Sequence, residues 1–109
     1  MELLTQELKQ RFKQQGDTSE KRAKDIIVIA KFFAPWGAAS WFATDYDEET
    51  NCFFGYVNLG GEFEQFAELG SFGLDDLESA NGPFGLKIER DLYWKETTLQ
   101  EVMDCRGHL

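Results

Sequence analysis

The chain has 109 residues, a common size for one domain, so we expect a single domain over residues 1–109. Its formal net charge of -9 argues against the basic surfaces with which proteins bind nucleic acids or anionic membranes directly. No apolar run approaches the roughly 20 residues of a membrane-spanning helix, and the N-terminus lacks the pattern of a signal peptide. We therefore expect a cytoplasmic protein.

The first predicted element is an amphipathic helix over residues 5–15. Leu4, Leu8 and Phe12 recur every four positions, which is the spacing of one face of a helix. Gly16 follows, and glycine commonly ends a helix because it accepts a left-handed backbone. The polar segment that comes next predicts an exposed connection.

Four strands are predicted in the middle of the chain. The apolar, β-branched run at 26–30 predicts a central strand that is covered on both faces. Strands at 39–44 and 52–58 flank the acidic turn 45–51, so they predict an antiparallel hairpin. A further strand is expected at 62–68, after a pair of glycines.

The C-terminal third predicts two short helices and one extended segment. Residues 74–78 place their acids in the first helical turn, where the helix dipole favours them. Residues 88–94 predict a last strand or an extended edge, and Thr98 with Glu101 forms a capping box that begins the final helix. The order of elements predicts an α+β fold, with a small antiparallel sheet of about four strands, an N-terminal helix and short C-terminal helices.

Charge is distributed unevenly along the sequence. Residues 1–31 carry five acids and seven bases, residues 32–86 carry ten acids and no Lys or Arg, and residues 87–109 carry five acids and four bases. The middle segment predicts a strongly negative face that attracts basic partners, although acidity of this kind also serves solubility alone. The acids expected on this face are Asp45, Asp47, Glu48, Glu49, Asp75, Asp76 and Glu78, and Trp36 is a candidate aromatic anchor in a loop.

The segment from Gly82 to Tyr93 is the most distinctive part of the sequence. Together with shorter pieces at 3–5, 30–36, 41–44, 54–55, 68–70 and 74–78, it resembles the bacterial family called domain of unknown function 2958. The resemblance covers residues from about Leu3 to Glu101. Its most specific motif consists of Gly82, Pro83, Phe84, Gly85, Glu89, Arg90, Asp91 and Tyr93.

The resemblance implies a small stand-alone protein, often carried on plasmids and integrated elements. It implies no established activity and no set of catalytic residues. One departure from the family pattern is Gly73, which stands where a Ser or Thr is expected at the start of a helix. The side-chain cap of that helix is therefore in question.

Few side chains in the sequence suit catalysis. His108, second from the end, is the one histidine and is expected to be a loose tail residue, which argues against Ser-His-Asp and Cys-His arrangements. Cys52 and Cys105 are far apart and cannot complete a closed zinc site with one histidine, so we expect free thiols and no cofactor. The aromatic residues fall largely in the segment without Lys and Arg, which favours core packing over stacking on nucleic-acid bases.

Two functions from different classes remain open, besides a structural or regulatory accessory domain without a link to nucleic acid. The favoured one is a non-catalytic protein whose acidic face binds a basic, nucleic-acid-handling protein, as an anti-restriction or anti-CRISPR protein would. The alternative is a metal-dependent endonuclease for single-stranded DNA, although a nuclease normally needs a positive track for its substrate. Its candidate ligands are Glu62, Glu64, Glu89 and Asp91. A purely structural interpretation also exists, in which Glu89, Arg90 and Asp91 form ion pairs that fix their segment to the sheet.

Overall fold

The computed structural model describes the whole chain, from Met1 to Leu109. In chain order the elements are α1 (Gln6–Gln15), β1 (Ile27–Val28), β2 (Ala30–Phe33), β3 (Ser40–Asp47), β4 (Cys52–Asn58), β5 (Glu68–Gly73), α2 (Leu74–Ser79), β6 (Glu89–Arg90), β7 (Thr97–Thr98) and α3 (Leu99–Asp104). The main sheet is antiparallel, with five strands in the order β5-β4-β3-β2-β6, and β1 pairs separately with β7. The predicted α+β class is confirmed, with five strands in the sheet rather than about four.

Helix α1 forms as predicted. The Thr5 hydroxyl accepts a hydrogen bond from the Leu8 N–H at 3.2 Å, and the Gly16 N–H donates to the Phe12 carbonyl at 2.9 Å. Gly16 has a φ of 71°, so it takes up a left-handed backbone at the end of the helix. Leu4 and Phe12 are buried against the sheet, as the apolar stripe indicates.

The strand predicted at 26–30 is divided between two elements. β1 pairs with β7, whereas β2 pairs with β3 on one side and with β6 on the other. Ile29 lies at the change of partner, and its N–H donates to the Ala43 carbonyl at 2.9 Å. Val28 and Ala30 are both buried, so the continuous apolar pattern is satisfied although the two residues belong to different pairings.

Strands β3 and β4 form the predicted hairpin, and β3 extends further than expected, to Asp47. The register slips between Ala43 and Asp45, which marks a β-bulge. Gly55 is paired with Ala43 beside this slip, and a Cβ on Gly55 would lie 1.8 Å from the Phe42 carbonyl oxygen. Glycine is therefore required at this close approach of two backbones.

The prediction of a strand at 62–68 is wrong. This segment begins as a 3-10 helix, Gly61–Phe66, and the strand is β5 instead. Phe63 and Phe66 stand three residues apart, which is the repeat of a 3-10 helix. β5 contains two glycines, which have low strand propensity, so its formation depends on pairing with β4.

Two apolar clusters cover the two faces of the main sheet. The cluster under α1 and α2 contains Phe12, Phe32 and Phe53, and the ring centroids of Phe32 and Phe53 are 5.2 Å apart. The cluster under α3 contains Phe42 and the buried residues of that helix. Ala43 and Phe42 point to opposite faces, as neighbouring residues of a strand do.

Both short C-terminal helices form where they are predicted. Gly73 precedes α2 and supplies no side-chain cap, as its departure from the family pattern implied. At α3, the Thr98 hydroxyl accepts a hydrogen bond from the Glu101 N–H at 3.2 Å. The extended segment expected at 88–94 contributes only β6 to the sheet. None of the helices combines the length and apolar character that crossing a bilayer requires.

Candidate acidic interaction surface

The turn between β3 and β4 is joined to the start of α2 through Asn51. The Asn51 carbonyl accepts a hydrogen bond from the Leu74 N–H at 3.0 Å, and Asn51 Nδ2 donates to Asp75 Oδ1 at 3.3 Å. The charged side chains that these two segments contribute are all acidic and exposed. We call them the acidic cluster: Asp47, Glu48, Glu49, Asp75, Asp76 and Glu78.

Tyr46 lies where the two segments of the acidic cluster meet. Its hydroxyl donates a hydrogen bond to Asn51 Oδ1. Burial raises the pKa of Tyr46 above its ordinary value, and nearby carboxylates raise it further, in the order Glu48, Asp47 and Asp75. Carboxylates of both segments therefore act on one hydroxyl. The sequence patterns do not predict the roles of Tyr46 and Asn51. The one signal is that asparagine often occupies tight turns with a positive φ, and Asn51 has a φ of 56°.

One cationic side chain is paired with the acidic cluster. Lys13 Nζ lies 3.6 Å from Glu48 Oε1, with 63% and 56% of the two side chains exposed. Exposed pairs of this kind contribute about 1 kcal/mol or less. Because one ammonium group is paired with a cluster of six carboxylates, most of the negative charge stays uncompensated. The other Lys and Arg ion pairs lie elsewhere: Arg11–Glu96, Arg22–Asp25 and Lys31–Asp91.

Asp45 has a structural role and is not part of the acidic cluster, although the sequence groups it with these acids. Its half-buried carboxylate accepts hydrogen bonds from the Thr18 N–H at 3.1 Å and from the Thr18 hydroxyl at 2.6 Å. The Thr44 hydroxyl donates to the same carboxylate at 2.5 Å. These bonds fix the connection after α1 to the bulge in β3, so the acid is already engaged within the fold.

Trp36 is partly buried and is not the exposed anchor considered from the sequence. Its ring packs on the cluster under α1 and α2, and a Cβ on Gly82 would lie 2.3 Å from carbon atoms of this ring. The ring therefore supports the loop 82–86, which belongs to the motif that resembles the family. This loop is closed by a hydrogen bond from the Gly82 N–H to the Leu86 carbonyl at 2.8 Å. Phe84 is the exposed aromatic of this loop, with its whole side chain in solvent.

The four carboxylates considered for a metal site do not converge. Glu62 and Glu64 lie in the connection between β4 and β5, whereas Glu89 and Asp91 lie at β6, the opposite edge of the sheet. No group of three or more His, Cys, Asp or Glu side chains is placed to hold a metal ion. The separation follows from the strand order, which the sequence alone does not supply.

Arg90 and Asp91 have structural contacts instead. Arg90 Nη1 donates to the Glu2 carbonyl at 3.0 Å, which ties the N-terminus to the edge of the sheet. Asp91 Oδ2 lies 3.9 Å from Lys31 Nζ on the neighbouring strand. These contacts hold the segment against the sheet and the N-terminus, but only Asp91 does so through an ion pair, whereas Arg90 binds backbone carbonyls.

The C-terminal tail, expected to be loose, is held in place. The His108 ring contacts the Glu64 carboxylate. Asn58 Nδ2 donates to the Arg106 carbonyl at 2.7 Å, and Lys31 Nζ donates to the Leu109 carbonyl at 2.8 Å. The tail therefore packs over the end of β4 rather than extending into solvent.

Fold and surface together define a small α+β protein with a preorganised acidic cluster. The family model described as Protein of unknown function (DUF2958) matches residues 3–104, and the chain belongs to this family. No curated protein and no solved structure matches the chain. The family description names no activity.

Proposed function

We propose that this protein is a non-catalytic binding protein whose acidic cluster engages a basic protein that handles nucleic acid. It would inhibit that partner by occupying its nucleic-acid-binding surface, in the manner of an anti-restriction or anti-CRISPR protein. The observation that carries the proposal is the junction at Asn51, which brings two separate acidic segments together with Lys13 as the one paired cation.

The acidic cluster is preorganised for electrostatic recognition. Its two segments are joined by hydrogen bonds within the fold, so little backbone freedom is lost when a partner binds. Clustered charges of one sign accelerate association with an oppositely charged surface, and salt weakens this effect. Lys and Arg side chains that neutralise phosphates provide such a surface on nucleic-acid-binding proteins. These properties support competition between the acidic cluster and nucleic acid.

The alternative function, a metal-dependent nuclease, draws no support from the geometry. Its candidate carboxylates are divided between opposite edges of the sheet. Arg90, the basic side chain between Glu89 and Asp91 that could contact a phosphate group, is bound to the backbone carbonyls of Glu2 and Leu3. Binding through the acidic cluster is therefore the function that the structure supports best.

The test is the capture of partners from a nuclease-treated bacterial lysate by three forms of the tagged protein. The cluster variant removes the negative charges of the acidic cluster: Asp47→Asn, Glu48→Gln, Glu49→Gln, Asp75→Asn, Asp76→Asn and Glu78→Gln. The control variant removes the same amount of charge from exposed acids elsewhere: Glu2→Gln, Glu7→Gln, Glu20→Gln, Asp25→Asn, Glu101→Gln and Asp104→Asn.

Wild type and control variant are expected to retain similar amounts of a basic protein at low salt and to release it at high salt, because exposed charges make the contact. The cluster variant is expected to lose most of this protein. Equal capture by the cluster variant would contradict the proposal, as would the absence of a basic protein from the wild-type sample.

A further inference from the structure

Strand β5 is a sheet edge with few of the features that usually protect one, since Glu68 is its one charged residue. It ends the main sheet, and no strand pairs with its outer side. It is six residues long, pairs with β4 without a register shift, and contains no Lys, Arg or Pro. Natural edge strands are commonly short, bulged or marked by Lys or Pro, because their unpaired backbone groups attract other strands.

The opposite edge of the same sheet is protected. β6 has two residues, and the Arg90 N–H contacts Met1 Sδ at 3.1 Å. The Arg90 guanidinium binds the carbonyls of Glu2 and Leu3, so the N-terminal residues cover this edge. Within the main sheet, an open edge is therefore specific to β5.

An apolar groove lies beside β5 on the α3 face of the sheet. Its volume is about 520 Å³, and its apolar walls are Ile26, Phe54, Leu69 and Leu99. Phe54 and Leu69 are 38% and 43% exposed, although both lie next to buried core residues. Side chains of a strand alternate between the two faces of a sheet. A strand added to β5 would therefore direct alternate side chains toward this groove.

The charges around β5 favour one kind of added strand over another. From Cys52 to Ser79 every charged side chain is acidic: Glu62, Glu64, Glu68, Asp75, Asp76 and Glu78. A second copy paired through β5 would bring two such sets together, and like charges across paired strands are destabilising. At the rim of the groove, Lys21 is the one base, and its ammonium group donates to the Gln15 carbonyl at 3.3 Å. The setting favours a segment that carries Lys or Arg.

We propose that β5 is a docking edge for an extended basic segment of a partner protein, which adds to the main sheet as a sixth strand. In this mode, backbone hydrogen bonds supply affinity and pockets for alternate side chains supply specificity. Because α2 follows β5 directly, the carboxylates of Asp75 and Asp76 lie at one end of the docking edge. The inference rests on the proposed function, since it names the part of the basic partner that is bound.

The probe is a peptide of about ten residues that alternates Lys and Val, added to the full-length protein at low salt. Two further peptides have the same sequence and charge, with N-methyl groups on all Val residues or on all Lys residues. Each N-methylation pattern removes the amide donors from one side of an extended strand. The unmodified peptide is expected to bind and to protect amide protons of β5 from exchange, while one methylated peptide binds roughly tenfold more weakly than the other.

Leu69→Lys tests the groove from the side of the protein. It adds a positive charge where the basic segment would dock, and we expect roughly tenfold weaker binding of the unmodified peptide. Leu59→Lys is the matched control, because Leu59 is 52% exposed and lies outside the strands. The control is expected to change the affinity by less than about twofold, since it leaves the groove and the edge intact.

Equal binding of all three peptides would overturn strand addition while leaving the acidic binding function in place. Absence of binding by the unmodified peptide would also overturn the inference, and the lysate capture would then judge the proposed function separately. A dimer that sedimentation detects in wild type, and that Leu69→Lys converts to monomer, would assign β5 to a second copy and overturn the proposal.

Discussion

Gly55 allows β3 and β4 to approach each other at the bulge. A Cβ on Gly55 would lie 1.8 Å from the Phe42 carbonyl oxygen and 2.8 Å from the carbonyl carbon, and neither backbone atom can rotate away. We expect Gly55→Ala to lower the free energy of unfolding by about 3 kcal/mol or more, because overpacking forces the strands apart. Urea unfolding followed by circular dichroism measures this loss.

Gly70 provides the matched control, because it lies directly opposite Gly55 on β5 and a Cβ there meets no atom within 4 Å. Gly70→Ala is expected to leave the free energy of unfolding unchanged or to raise it by up to about 1 kcal/mol, since Ala restricts the unfolded chain more than Gly does. Equal destabilisation by both substitutions would show that the bulge does not impose the requirement for glycine.

Tyr46 reports on the convergence of the acidic cluster. Burial is the first cause of its raised pKa, followed by the charges of Glu48, Asp47 and Asp75. Its ionisation, measured as the difference in tyrosinate absorbance between wild type and Tyr46→Phe, is expected above about pH 10. Replacing the three carboxylates by amides is expected to lower this pKa part of the way, since burial remains. An unchanged titration would mean that the carboxylates do not act on Tyr46.

The raised pKa of Tyr46 also makes the free energy of unfolding depend on pH. Because the pKa of Tyr46 is raised in the folded state, the unfolded chain releases its proton first as the pH rises. The stabilising contribution is complete below about pH 10 and is lost as the pH rises through the folded-state pKa. Thermal melts of Tyr46→Phe are therefore expected to decline less steeply above this pH than those of wild type. The pKa of Tyr56 is also raised by burial, but Tyr56 is present in both wild type and Tyr46→Phe, so the comparison isolates Tyr46.

Helix α1 is connected to two strands by Gln15. Its Nε2 donates to the carbonyls of Ile27 and Thr44, each at 2.8 Å, and its Oε1 accepts from the Ile27 N–H at 2.8 Å. We expect Gln15→Leu to lower the free energy of unfolding by about 3 kcal/mol, because three backbone groups lose their partner. Gln14→Leu, at an exposed position of the same helix, is expected to change it by less than about 0.5 kcal/mol. Similar losses in urea unfolding of both variants would contradict this role.

The elements that the sequence predicts are those with local signals. α1 has an apolar stripe and ends at Gly16, and the β3–β4 hairpin has an acidic turn between two apolar strands. β6 and β7 have two residues each and form only because longer elements offer them a pairing edge. The division of the 26–30 strand has the same origin, since a change of pairing partner is a tertiary property.

The acidic character of the surface is predictable from the sequence, whereas its arrangement is not. The lack of Lys and Arg between residues 32 and 86 predicts a negative face. The hairpin register and the hydrogen bonds of Asn51 determine which acids share that face. Asp45 and Trp36 have other roles because their partners, Thr18 and Gly82, come from distant parts of the chain.

The proposed role of the acidic cluster depends on competition with nucleic acid, which we would measure as displacement of labelled duplex DNA from the captured basic protein. Wild type is expected to release the DNA, less so as salt rises, and the cluster variant is expected to require roughly tenfold more protein. If wild type binds the partner while the DNA stays bound, or if the cluster variant displaces DNA equally well, the acidic cluster does not compete for the nucleic-acid-binding surface and the proposed function is wrong.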